Sequence, residues 1–401
     1  MFAGTALQPE IVYVRKAPGA PSRVMVQRPG APATVLSAGF AEAADPEVSW
    51  DGKNILFAGR KTTSAPWQIY EIPAAGGAAR QVVNVPYDCR SPIYQSEVYV
   101  IKAERPWKQI AFVANGALYS ARMDGSDIRR LTWHADPDSF PQMMPDGRMV
   151  FSSRGGLFGI NADGTEFAEF SAHEGPLGKQ QPAVTDALVV FVEPDGLGSV
   201  SLARNLHSYR RVVSGQFQTP APLPGGEVLL SGKTGQGRYS LWRLNPETGA
   251  LARVHADPAA DLLHARAIVA RPEPDGRSSV VDLSEATGKL YCLSTHTTDS
   301  PNPAWASLVK RLRVTGAGGK PMGELDLEPD GSFQLDVPAN TPLTLEVLDA
   351  KGAPLRTCRQ IWVRNNENRG CIGCHEDGEL TPENRLADAL NKPAVHIGGQ
   401  P

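Results

Sequence analysis

Near the C-terminus, Cys371-Ile372-Gly373-Cys374-His375 places two thiols three residues apart with an imidazole directly after them. C-x-x-C-H is the attachment sequence for c-type haem. The two thiols reach the two vinyl groups at one porphyrin edge, and the histidine is carried under the iron as its proximal ligand. With 5 Cys and 8 His in 401 residues, chance would produce the pattern about once in a thousand such chains. Two other chemistries use the same side chains. A C-x-x-C disulfide needs no histidine. Cys358, Cys371, Cys374 and His375 would together make a Cys3His set for zinc. Haem attachment accounts for both cysteines and the histidine, so one covalent haem c is expected, with zinc as the alternative cofactor. Cys89 and Cys292, far apart in sequence, read as buried thiols or as one disulfide. The odd count leaves at least one cysteine over.

The group on the other face of the iron separates an electron carrier, which has a sixth protein ligand, from a site open to a substrate. His396, 21 residues beyond His375, is the nearest distal candidate; the bland reading is an exposed tail histidine beside Gly398-Gly399. Met322 and the pair Met143-Met144 are candidate thioether ligands, although methionine on a β-rich chain more often fills core gaps. His134, His264 and His296 lie near blade ends or the linker, where a propeller's central face could present them to the haem; the ordinary reading of each is a surface or turn histidine. Arg364, Arg369 and Arg385 flank the motif and could pair with haem propionates; each has solvated charge as its alternative. Trp362 is expected to pack on the porphyrin or in a sandwich core. Glu376 and Asp377 follow the motif directly, as acids able to lower the haem potential or simply as solvated charges. No catalytic residue is assigned.

The scaffold is legible in composition and repeats. Net charge is only -3, which gives no reason to expect nucleic acid or an anionic membrane. No apolar run approaches the roughly 18 residues of a membrane span. Thirty-nine glycines and 34 prolines exceed the roughly 12% usual for the pair and point to many short strands and turns. Apolar runs anchored at Tyr13, Phe57, Phe112, Phe151, Phe191, Leu230 and Val269 recur at intervals of 44, 55, 39, 40, 39 and 39 residues. A period near 40 is that of four-stranded propeller blades. Two repeats align most clearly: Asp45-Pro46 before Asp51-Gly52, and Asp136-Pro137 before Asp146-Gly147, each Asp-Gly making a tight hairpin. The expected fold is all-β: a six- or seven-bladed β-propeller over 8–275, seven anchors favouring seven. A transition and linker at 276–304, a small β-sandwich over 305–363 and a c-type haem-binding segment over 364–401 follow. Thr381-Pro382 is expected to open a short helix running to about Leu390. Gly232-Lys233-Thr234 lacks the upstream glycine of a phosphate-binding loop, and no G-x-S-x-G elbow marks a propeller-bearing peptidase.

The blades resemble TolB-type repeats. The segments 331–352 and 360–385, above all Asp330-Gly331-Ser332, Val337-Pro338-Ala339 and Arg369-Gly370-Cys371-Ile372-Gly373-Cys374-His375-Glu376, resemble the haem-bearing middle domain of the hydrazine synthase alpha subunit family. That family also carries an N-terminal propeller, so the resemblance extends over nearly the whole chain and implies one covalent haem. In the synthase a tyrosine shortly after the motif ligates the iron and frees the histidine for zinc. Here Glu379 stands at the matching position, no tyrosine follows Tyr291, and there is no second C-x-x-C-H. His375 is therefore expected to ligate the iron. Covalent haem of this kind is attached outside the cytoplasm, so a periplasmic or extracellular location is expected. Met1-Phe2-Ala3-Gly4 has neither basic nor apolar leader character, as in a mature or trimmed chain. The leading functional expectation is a periplasmic c-type cytochrome passing electrons to other redox proteins in a larger system. The alternatives are a haem enzyme or sensor binding a small nitrogen or oxygen compound, and a partner-binding propeller with a metal-stapled tail.

Overall fold

The computed structural model describes residues 9–100, 105–134, 136–171, 175–375, 377–379 and 385–398. The N-terminal tetrapeptide, Glu376 and Thr381-Pro382 lie outside them. Of the expected C-terminal helix, the described part contains only a 3-10 turn at Asp388–Asn391. The chain divides into two compact units. No helix among the described residues is long and apolar enough to cross a membrane.

Among the described residues, the first unit contains six four-stranded antiparallel sheets. Tyr13, Phe57, Phe112, Phe151, Phe191 and Leu230 each sit on the second strand counted from the inner edge of one sheet, and all six are fully buried. The seventh anchor, Val269, opens no sheet. It follows Asp261–Ala267, the strand that pairs with Ile11–Lys16 and so completes the first sheet with the last strand of the unit. The count of anchors thus exceeds the count of sheets by one, because one sheet is built from both ends of the unit.

The innermost strand of every sheet carries the same defect. Asp45, Ser91, Phe140, Gln181, Thr219 and His264 all have φ between 50° and 53°, and at each the pairing to the next strand skips. Such a bulge unpairs backbone groups and re-aims the side chain. The side chains then take up the freed amides: Ser91 N–H donates to Asp45 Oδ2 at 3.0 Å, Thr219 N–H to Gln181 Oε1, and His264 N–H to Thr219 Oγ1 at 2.9 Å. Asp45 also accepts Arg90 through both oxygens, at 2.7 and 3.1 Å. Phe140-Pro141 is therefore the counterpart of Asp45-Pro46, each standing six residues before its Asp-Gly turn. Asp136-Pro137 lies outside the strand, four residues too early.

The second unit is a sandwich of two four-stranded sheets. One has the order Pro321–Asp326, Arg311–Thr315, Leu343–Leu348, Pro354–Ile361; the other Asn368–Cys371, Thr287–Cys292, Phe333–Pro338, Val395–His396. Alternation puts Leu312, Val314, Leu345 and Val347 of the first sheet against Leu290, Leu335 and Val337 of the second. The sandwich thus begins within the stretch expected to be linker and ends within the expected haem segment. Two strips from earlier in the chain belong to this unit, one around Trp133 and His134, the other at Asp163–Glu166.

Candidate functional site

Asn368–Cys371 is an edge strand running parallel to Thr287–Cys292, with Cys371 opposite Cys292. Beyond it the chain turns, and residues 293–299 act as a template for the turn. Leu293 N–H donates to Cys371 O at 2.9 Å and Ser294 N–H to Ile372 O at 3.2 Å. Cys374 N–H donates to Thr297 O at 2.8 Å, the Thr298 hydroxyl to Cys374 O at 2.9 Å, and Asp299 N–H to His375 O at 3.1 Å. Gly373 is required by this closeness: a Cβ there would lie 2.4 Å from Thr297 O. His375 ends the turn in the left-handed region, φ 59°.

This backbone presents the three chemical groups differently. Cys371 and Cys374 are half-buried and pack against the apolar sandwich core, whereas His375 is exposed. Arg356 reaches the turn from the facing sheet and donates to Thr298 Oγ1 at 3.1 Å and to Asp299. Its hydrogen bond is the largest of the effects holding the Asp299 carboxyl below the usual carboxylate range, and the charge of His375 adds to it. Asp299 is thus an ionised carboxylate beside the exposed imidazole. Two thiols on an apolar seat, with a solvent-facing imidazole next to them, fit a porphyrin bound by one edge. Cys358, the third thiol of the zinc alternative, lies on the other sheet, opposite Leu345, and packs against the same core as Cys371 and Cys374; among the described residues no three His, Cys, Asp or Glu side chains converge as a metal set.

His396 is not brought to the motif. It lies on the strand at the opposite edge of the same sheet, three strand spacings or about 14 Å across. Its register follows Asp336, Lys289 and Asn368, three residues short of Cys371. Its Nδ1 is 2.9 Å from Asp336 Oδ2. The methionines are packing residues: Met143 and Met144 are buried in the propeller, and Met322 fills the space above Gly316 and Gly398. His264 belongs to the bulge positions of the first unit, and His296 lies over Gly331.

Arg364 and Arg369, expected to meet propionates, are both buried. Arg369 donates to Trp362 O at 2.7 Å, and the Arg364 guanidinium lies 6.0 Å from the Trp133 ring centre. Beside them Glu367, its carboxyl raised by burial, accepts the backbone N–H of Arg364 at 2.6 Å and of Glu166 at 2.8 Å. Trp362 is interior, its ring 5.5 Å from that of buried His134. These residues join the early strips to the sandwich; they do not face solvent. Arg385 remains at the surface, 3.9 Å from Asp330. Asp377 caps its own turn by accepting Glu379 N–H at 3.0 Å. Cys89 and Cys292 are buried thiols. The template at 293–299 and Arg356 escaped sequence reasoning, the Ser-Thr-rich run Ser294-Thr295-His296-Thr297-Thr298 being its only signal.

The hydrazine synthase alpha subunit middle domain family matches residues 310–376, which take in six of the eight sandwich strands and end one residue past His375. Hydrazine synthase subunit alpha of Kuenenia stuttgartiensis is 26% identical over 309 residues, covering 56% of this chain and 38% of that protein. Over these stretches the chain is similar to the hydrazine synthase alpha subunit. Its fold matches that of Kuenenia stuttgartiensis hydrazine synthase with a TM-score of 0.83 at 20% identity, over 96% of this chain and 71% of the other. TolB from Acinetobacter baumannii matches at 0.52 and 14% identity, over 65% of this chain and 66% of its own. The chain spans well under half the length of the curated relative it matches.

Proposed function

We propose that this chain is a haem protein of an extracytoplasmic redox assembly, acting on a small nitrogen or oxygen compound at an iron with an open sixth position. The observation that carries this reading is the motif itself: two half-buried thiols seated on the sandwich core, an exposed His375, and His396 at the far edge of the sheet. Cys371 and Cys374 would hold the haem and His375 its iron. When bound, the haem supplies electron transfer and a coordination site for a small ligand. The protein's own part is orientation. Asp299, kept ionised by Arg356, is the carboxylate available to the second imidazole nitrogen, an interaction that fixes a ligand histidine's tautomer and raises its basicity. The name of the relative supports a nitrogen compound as the substrate class. Other redox proteins are the partners this reading requires.

The test is an optical spectrum of chain made with c-haem maturation, taken oxidised, reduced, and reduced under carbon monoxide. A high-spin spectrum shifted by the gas is expected. A low-spin spectrum indifferent to the gas would return the chain to the electron-carrier reading, and no haem absorbance would overturn haem attachment altogether.

A further inference from the structure

Four of the five cysteines meet in the second unit. Cys292 lies in the sandwich core at 2% exposure, and Cys358, Cys371 and Cys374 pack against that same core. Cys89 belongs to the propeller core. All five are thiols in this structure. Haem attachment would use only Cys371 and Cys374, which leaves Cys292 as a buried thiol beside the motif.

Backbone geometry singles out one pair among the four. Cys292 and Cys371 stand opposite each other on the parallel strands Thr287–Cys292 and Asn368–Cys371. Partners in register project from the same face of a sheet, and both of these side chains go to the core face. Adjacent strands lie about 4.7–4.9 Å apart, inside the roughly 4.4–6.8 Å between Cα atoms that a disulfide spans. Cys358 is on the facing sheet, opposite Leu345. Facing sheets are about 10 Å apart, beyond the roughly 7 Å that can be bridged without backbone movement. Cys374 is carried past Cys292 by the turn: its N–H donates to Thr297 O at 2.8 Å, and the Thr298 hydroxyl donates to its carbonyl at 2.9 Å. The partner of Cys292 by position is Cys371. Exposure then sets the order of events. Cys371 is half-buried and meets a reagent from solvent, whereas buried Cys292 has to reach only Cys371.

We propose that the haem-free chain closes a Cys292–Cys371 disulfide on meeting a small disulfide oxidant, a redox latch that withholds Cys371 from the motif. The Cys371 thiolate attacks the S–S bond of oxidised glutathione, forms a mixed disulfide and expels one glutathione. Cys292 attacks the Cys371 sulfur and expels the second. One S–S bond breaks and one forms; the two chain thiols are oxidised, glutathione is reduced, and both protons leave on the expelled thiols. With Cys371 in the latch, Cys374 alone is left for a porphyrin vinyl group, so haem attachment waits on reduction. That consequence rests on the haem reading of the motif; the disulfide itself does not.

The test is peptide mapping of the full, folded chain made without haem maturation, treated with oxidised glutathione, alkylated and cut with trypsin without reductant. Cleavage puts Cys292 in 290–310, Cys371 and Cys374 together in 370–385, Cys358 in 357–359 and Cys89 in 81–90. The expected product, in most of the chain, is 290–310 joined to 370–385, with fragmentation placing the link on Cys371. Cys374→Ser should keep this link and Cys371→Ser should remove it; the map of the unmutated chain stands whether or not the variants fold. A 370–385 peptide closed on itself, a link on Cys374, a link to 357–359, or alkylation of both Cys292 and Cys371 would overturn the proposal. Absence of haem from reduced chain made with c-haem maturation would overturn the haem reading and leave the disulfide standing. A missing disulfide beside full haem loading would overturn the latch alone.

Discussion

His264 makes the stability of the propeller depend on pH in a window that can be calculated. Its side chain is about one-fifth exposed, with Nδ1 3.6 Å from Asp45 Oδ1 and the Phe140 ring 6.5 Å away. Burial lowers its pKa to about 4; the Asp45 carboxylate opposes this, while the charges of Arg266 and Arg90 add to it. An unfolded histidine titrates near 6.5. Between these values the unfolded chain binds a proton that the folded chain refuses, so stability falls as pH drops from 6.5 toward 4. The linkage relation gives a loss of about 2 kcal/mol by pH 5 and about 3 kcal/mol by pH 4. Asp45, held at about 2, stays ionised in the fold throughout this window, and its own contribution is lost only further down. The perturbation to use is His264→Gln, because Gln181 already occupies the equivalent bulge with φ 53° against 52°. Urea unfolding at pH 7 and pH 5 should show the wild type losing about 2 kcal/mol more than the variant between the two. Parallel losses in the two proteins would refute the assignment of this window to His264.

Two further substitutions probe the bulges and the turn of the C-x-x-C-H motif. Thr219→Val removes the acceptor for His264 N–H and the partner of Ser231 Oγ at 3.1 Å. Leaving these buried groups unpaired should cost about 1–3 kcal/mol in the same urea assay; an unchanged midpoint would mean that another acceptor takes over. Gly373→Ala puts a methyl against Thr297 O and should displace the turn between the two cysteines. The haem-to-protein ratio by pyridine haemochrome should fall while the urea midpoint of the propeller holds; full loading would show that the turn relaxes freely.

Much of the propeller could be read in advance because each blade puts one large apolar residue at the same place. The bulge positions were harder to see. They hold Asp, Ser, Phe, Gln, Thr and His, so no residue type repeats. Only the following proline, present after five of the six, and the backbone angle are common to them. Asp136-Pro137 copies the letters of Asp45-Pro46 but not the distance to the Asp-Gly turn, and distance is what a hairpin enforces. Thr287–Cys292 escaped notice because its place depends on parallel pairing with Asn368–Cys371, some eighty residues away. At the site, Cys371, Cys374 and His375 were evident from spacing alone. Arg364 and Arg369 turn inward, where buried backbone groups and a buried carboxylate meet their charge, Trp362 takes the interior place of its two expected ones, and Arg385 stays at the surface.

The second unit has a further consequence in its chain path. It is assembled from three separate lengths of polypeptide, two of them short strips that leave and re-enter the propeller sequence. His134 against Trp362 and Glu166 on Glu367 are contacts made by those strips. A gene fragment starting at Ser279 would encode the haem motif and both sheets yet lack part of the unit's own interior. The part that carries the C-x-x-C-H motif is therefore not a cassette that recombination can move intact onto another protein. It can be inherited only together with the blades that supply its missing pieces.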